Sequence, residues 1–124
     1  MDEIKKKKSI DSVREFVSKN SDFTVFYHLD TDGIVSAALL TAALKKMNKG
    51  VYYYRPTNYE DYKDIDMQEY SKNIIICDMQ IREEQLPLFK DKNLCIIDHH
   101  QIINADLKAY ANPKIWGDNT YTPC

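Results

Sequence analysis

The sequence predicts an α/β fold: a parallel, Rossmann-like sheet of about four to five strands with flanking helices. Three observations predict it. Short apolar runs rich in β-branched and aromatic residues, Asp22 to Tyr27, Ile74 to Cys77 and Leu94 to Ile97, read as strands, the last two buried on both faces as in parallel sheets. The first run passes through a polar loop into an Ala- and Leu-rich helical segment, the opening of a βαβ unit. Each run also ends in acidic or imidazole side chains. Open α/β sheets place their ligands at that end, because the loops there line the crevice above the sheet.

Size and composition set the bounds. With 124 residues, 44% hydrophobic and 29% charged, the chain has ordinary globular usage and length for one domain with a modest core. A formal net charge of −2 gives no global basic field for nucleic acid. Cys77, Cys95 and Cys124 form no Cys-x-x-Cys pair and read as small hydrophobes of a reducing compartment. No apolar run approaches the roughly 20 residues that cross a bilayer. No signal-peptide core follows the first lysines, so a cytoplasmic protein without a membrane partner is expected.

In order along the chain, Lys5 to Lys8 reads as a solvated helix start. Ile10, Val13, Phe16 and Val17 then make an amphipathic helix with Ser9 as its cap. After the first strand, Ile34 to Met47 is a long, largely buried helix of small residues, closed by Gly50 in a left-handed conformation. Val51 to Arg55 is a second strand, stopped by Pro56. A loop with a short helix near Asp64 to Tyr70 precedes the Ile74 to Cys77 strand. Glu83 to Phe89 is a short helix despite Pro87, and Leu94 to Ile97 is the fourth strand. Right-handed crossovers would bring the loops after the first, third and fourth strands to one edge of the sheet.

Those loops carry His28, Asp30, Asp32, Asp78, Asp98, His99 and His100, among them all three histidines of the chain. Converging carboxylates repel one another unless a cation sits among them. A mixed Asp and His set suits Mn²⁺, Zn²⁺ or Fe²⁺ better than Ca²⁺, and it holds more ligands than one tetrahedral site needs. Two ions about 3.5–4 Å apart, sharing a carboxylate, would use them all and would activate a water for attack on a phosphoryl group. Phosphoester hydrolysis is the natural chemistry.

His28-Leu29-Asp30-Thr31-Asp32-Gly33 with Ser36, the lone Asp78 after an isoleucine strand, and Asp98-His99-His100 resemble the first three motifs of the DHH phosphoesterase superfamily. That superfamily includes RecJ single-strand exonucleases, nanoRNA and cyclic-dinucleotide phosphodiesterases and family II pyrophosphatases. The resemblance implies one Mn²⁺ on His28, Asp30 and Asp78 and a second on Asp32, Asp78 and His99, with Asp78 bridging and Mg²⁺ as the alternative metal. It further implies that His100 faces the scissile phosphate and that Asp98 orients the histidines. The substrate would be a phosphodiester, single-stranded DNA or RNA being favoured, and Asn112-Pro113 leans toward the RecJ-like branch. A fourth motif with a further metal-binding Asp and a substrate-binding domain are missing before Cys124, so an incomplete DHH domain over residues 1–124 is expected. Asp118, in Gly117-Asp118-Asn119-Thr120, reads first as a turn and second as that missing ligand.

Two rivals remain at this level. Asp30-Thr31-Asp32-Gly33 is similar to the opening of haloacid-dehalogenase phosphatases, with Asp30 as nucleophile, but that reading gives the histidines no task. A catalytically inactive binding module is the other, with Tyr52, Tyr53, Tyr54, Tyr59 and Tyr62 stacking the bases of a single strand. Against it, tyrosines in a strand normally alternate between core and surface.

Overall fold

The first helix, α1, spans Glu3–Lys19 and starts well before Ser9. Its cap is Asp2, whose carboxylate accepts the N–H groups of Ile4 and Lys5 at 3.1 Å each. The lysine run therefore lies inside the helix, because lysine propagates helix well and Asp caps as well as Ser. Ser9 is buried mid-helix. Its hydroxyl donates to the Tyr110 carbonyl at 2.6 Å, and the Ser12 hydroxyl accepts the Tyr110 N–H at 3.2 Å. The structure is a computed structural model that describes residues 2–79 and 81–120, without the side chains of 59–61. Cys124 and the Tyr59 side chain thus lie outside the described residues.

Next come β1 (Phe23–His28), α2 (Thr31–Lys46), β2 (Val51–Thr57), β3 (Asn73–Cys77), β4 (Asn93–Ile97) and β5 (Ala109–Ala111). They form one five-stranded, all-parallel sheet in the order β2-β1-β3-β4-β5. Strand alternation gives the sheet two buried faces. Val25, Ile75, Cys77, Cys95 and Ala109 point to one, where Val17 of α1 and Ala37 and Leu44 of α2 cover them. Phe26, Ile74, Ile76, Ile96 and Tyr110 point to the other. That face is closed by Tyr62, Met79, Ile81, Phe89 and Ile103 from connecting segments rather than by long helices. Burial on both faces explains the unbroken isoleucine run of β3, each such side chain contributing roughly 1.5–3 kcal/mol.

Several sequence expectations need correction. β2 continues through Pro56 to Thr57, because it is an edge strand in which a missing N–H costs no ladder bond. The same edge position leaves Tyr52, Tyr53 and Tyr54 all exposed instead of alternating. Tyr62 is fully buried, packed at 6.2 Å against the Phe26 ring and 5.9 Å from that of Phe89, so it cannot stack a base. After α2 the left-handed residue is Asn48 (φ 57°), not Gly50. The segments Tyr59–Asp64, Met67–Glu69 and Glu83–Phe89 are 3₁₀ turns, the last containing Pro87. The strand missed from the sequence is β5, whose two alanines carry little β signal. It exists because β4 pairs one side of it while Ser9 and Ser12 of α1 satisfy the Tyr110 backbone on the other, leaving no open edge there.

Candidate metal centre

Three strands end at the same rim of the sheet. β1 ends at His28, and Asp30 caps α2, its Oδ1 accepting the Gly33 N–H at 2.8 Å while Oδ2 lies 2.8 Å from His28 Nδ1. That hydrogen bond, and next the His28 charge, hold the Asp30 carboxyl below the usual aspartate range against some opposing burial. The helix must start almost on top of the strand end. A Cβ on Gly33 would come within 1.9 Å of the His28 carbonyl oxygen, so only glycine permits this turn. The sequence showed the glycine but not this contact.

β3 delivers Asp78, which takes a left-handed backbone (φ 52°) while its N–H still donates to the Ile97 carbonyl at 3.0 Å. Non-glycine residues held there store strain of order 1–3 kcal/mol, and such strain clusters at functional sites. The Asp78 side chain is almost fully buried. Burial foremost, and then the Asp30 charge, push its carboxyl above the ordinary aspartate value, with His99 and His100 opposing. His99 Nε2 lies 3.1 Å from Asp78 Oδ1, and that buried oxygen accepts no hydrogen bond among the described residues. A buried carboxylate oxygen without a hydrogen bond costs stability unless a cation, a metal ion or a protonated imidazole, meets it.

β4 delivers the third element. Asp98 is buried, its N–H bonded to the Ala111 carbonyl at 2.9 Å and its Oδ1 2.6 Å from His100 Nδ1. His99 and His100 stand side by side with ring centroids 4.5 Å apart, one turned to Asp78 and the other to Asp98.

Two groups of donor atoms result, each with its members within 4.8 Å of one another: His28, Asp30 and Asp78, and Asp78, Asp98, His99 and His100. Asp78 belongs to both. Either can hold a divalent metal, since each offers an imidazole and at least two carboxylates, and Asp78 is the residue they share. Of the residues singled out from the sequence as metal or catalytic groups, only Asp32 falls outside both; it sits exposed on the first turn of α2. A cavity of about 360 Å³ opens beside the second group, lined by His99, His100, Gln101, Pro113, Lys114, Asp118 and Asn119. Asp118 forms the expected turn, accepting from Thr120 N at 2.9 Å and Thr120 Oγ1 at 2.6 Å, and lies in neither donor group. Two larger clefts, of about 840 and 770 Å³, involve other surfaces and none of the donor residues.

The family model described as the DHH family, N-terminal domain, matches residues 22–120. The chain belongs to the DHH family. This DHH domain resembles solved structures at low identity, which bear on the fold. The crystal structure of RecJ in complex with Mn²⁺ from Thermus thermophilus aligns with a TM-score of 0.65 at 18% identity, over 93% of this chain and 18% of that one. Exonuclease RecJ bound to manganese aligns at 0.65 and 17% identity, covering 92% of this chain and 32% of the other. CDC45 from Entamoeba histolytica aligns at 0.59 and 14%, over 90% and 24%. The chain thus spans about a fifth to a third of the length of these neighbours. No curated protein matches the sequence. Among the described residues no helix is long and apolar enough to cross a membrane.

Proposed function

We propose that this DHH domain is the metal-binding part of a phosphoesterase that hydrolyses phosphodiester bonds, with single-stranded nucleic acid or short oligonucleotides as the substrate class. The observation that carries the reading is Asp78, a buried carboxylate with one oxygen that accepts no hydrogen bond, shared by two donor groups from three separate strand ends. In this reading His28, Asp30 and Asp78 hold one Mn²⁺, and Asp78 and His99 hold the second together with Asp32, which has to turn in from its place outside both donor groups on the first turn of α2, with Mg²⁺ able to substitute. The two RecJ neighbours are manganese-bound, which supports the choice of metal. Bound there, the ions supply a hydroxide nucleophile at neutral pH and positive charge for the phosphoryl oxygens.

The protein's own groups do the rest. Asp98 accepts from His100 Nδ1 and so leaves Nε2 for the substrate, the tautomer being set by that short contact. His100 borders the 360 Å³ cavity, and when protonated on both ring nitrogens it keeps its Nδ1–H on Asp98 and donates its Nε2 proton to a phosphoryl or leaving-group oxygen. Isothermal titration with Mn²⁺ tests the metal half of this reading. Two ions should bind the wild type and fewer the Asp78→Ala variant, and at 100 times Kd the wild type should gain about 2.7 kcal/mol in stability for each bound ion. Identical isotherms for the two proteins would overturn it. Mn²⁺-dependent hydrolysis of bis-p-nitrophenyl phosphate, lost in Asp78→Ala, tests the chemistry.

A further inference from the structure

Asn112 is fully buried, and the proposed reaction as described gives it no part. A buried primary amide is costly unless its hydrogen-bonding groups are met, and here both ends are. Its Nδ2 donates to the carbonyl of His100 at 2.9 Å and to the Tyr110 hydroxyl at 3.2 Å. Its Oδ1 accepts the N–H of Lys114 at 3.0 Å, capping the short Pro113–Trp116 turn. The amide orientation follows from these partners, because the reversed one would set oxygen against the His100 carbonyl and the amino group against the Lys114 N–H.

The partners matter because of where they lie. From Asp98 to Lys108 the chain between β4 and β5 has no regular structure, so its geometry depends on a few tethers. The Tyr110 hydroxyl supplies one by accepting the Ile103 N–H at 3.2 Å. Asn112 supplies the one at His100. That histidine is therefore held twice, its ring by Asp98 and its backbone by Asn112. The same amide fixes the turn bearing Lys114, which lines the same cavity as His100.

We infer that Asn112 is a positioning residue for the reaction proposed above: it sets His100 and Lys114 around one cavity that receives the substrate's phosphate oxygens. The inference rests on that reading for its chemistry, but its geometry can be tested without it. Misplacing a catalytic group by about 1 Å can cost on the order of a hundredfold in rate. Asn112→Ala should therefore lower kcat for bis-p-nitrophenyl phosphate at least about tenfold and raise KM through Lys114, with Mn²⁺ stoichiometry unchanged. In a His100→Ala background the same substitution should lose most of its effect on kcat, keeping only the smaller part that passes through Lys114. Equal losses in both backgrounds would reduce Asn112 to a structural residue and overturn the inference while leaving the phosphoesterase reading intact. A second readout needs no activity: in metal-free protein the His100 Nδ1 proton, followed by NMR, should exchange at least about tenfold faster in Asn112→Ala. An unchanged exchange rate overturns the inference as well. Should Asn112→Ala not fold, Tyr110→Phe removes one tether partner and keeps the core. It should speed that exchange about threefold, and no change overturns the inference equally. Faster exchange in the variant, when the wild type fails to hydrolyse, would leave the inference standing and defeat the proposed function alone.

Discussion

The two donor groups are built in different ways. His28 and Asp30 come from one local turn, where a strand end, a helix cap and a glycine contact lie within six consecutive residues, and Asp30 is half exposed. Asp98 and His100 are buried or half-buried and depend on residues farther along the chain, Ala111 and Asn112, for their backbone positions. Electrostatics divides them too. Asp30 is favoured as an anion by a backbone N–H, whereas Asp78, at the junction, is disfavoured as an anion by burial. One half of the centre is preformed and content without a cation; the junction is built to receive one.

The contrast can be broken most forcefully at Gly33. Gly33→Ala drives a Cβ into the His28 backbone, which a side-chain rotation cannot relieve. A loss of about 3 kcal/mol in denaturant unfolding is expected, together with the Mn²⁺ site of the first group. A stable, metal-binding variant would show that the turn is not preformed. Of smaller effect are Asp30→Asn and Asp98→Asn compared side by side. Asparagine still caps a helix, so the first should keep the fold and remove one bound Mn²⁺ by titration. The second should keep both ions and lower kcat roughly 10–100-fold, because it disturbs the orientation of His100 alone. Loss of an ion in Asp98→Asn would mean that Asp98 is itself a ligand.

The smallest effect concerns metal-free stability, where the two aspartates should move in opposite directions. A lowered pKa stabilises the fold above the ordinary aspartate value, and that gain fades as pH falls through the lowered one. A raised pKa imposes a cost that is absent below the ordinary value and fully present above the raised one. At pH 7 in chelator, Asp30→Asn should thus lower the midpoint of thermal unfolding and Asp78→Asn should raise it. Shifts of the same sign would remove the electrostatic distinction between the halves.

Much of this was legible in advance for physical reasons. The all-apolar run of β3 can form only a strand covered on both sides, and the switch from strand to polar loop to small-residue helix at His28–Ser36 has one right-handed solution. Acids at three strand ends of a parallel sheet had to share a rim. The errors lie where a neighbour overruled local preference. Pro56 was tolerated because β2 is an edge, Tyr62 was drawn inward by Phe26 and Phe89, and Ala109–Ala111 became a strand because β4 and two serines of α1 offered partners.

By itself, then, the sequence determined four of the strands and the acids and histidines that stand at their ends, since periodicity and residue chemistry are properties of short segments. Resemblance had suggested a bridging Asp78 and a supporting Asp98, but only the tertiary structure decided that Asp98 meets His100, that Asp98 and His100 join the donor group of Asp78 and His99, that Asp32 stands outside both groups, and that Asn112 braces the histidine loop. Those are distances between segments separated in the chain. They are set by which faces pack together, and no local pattern encodes them.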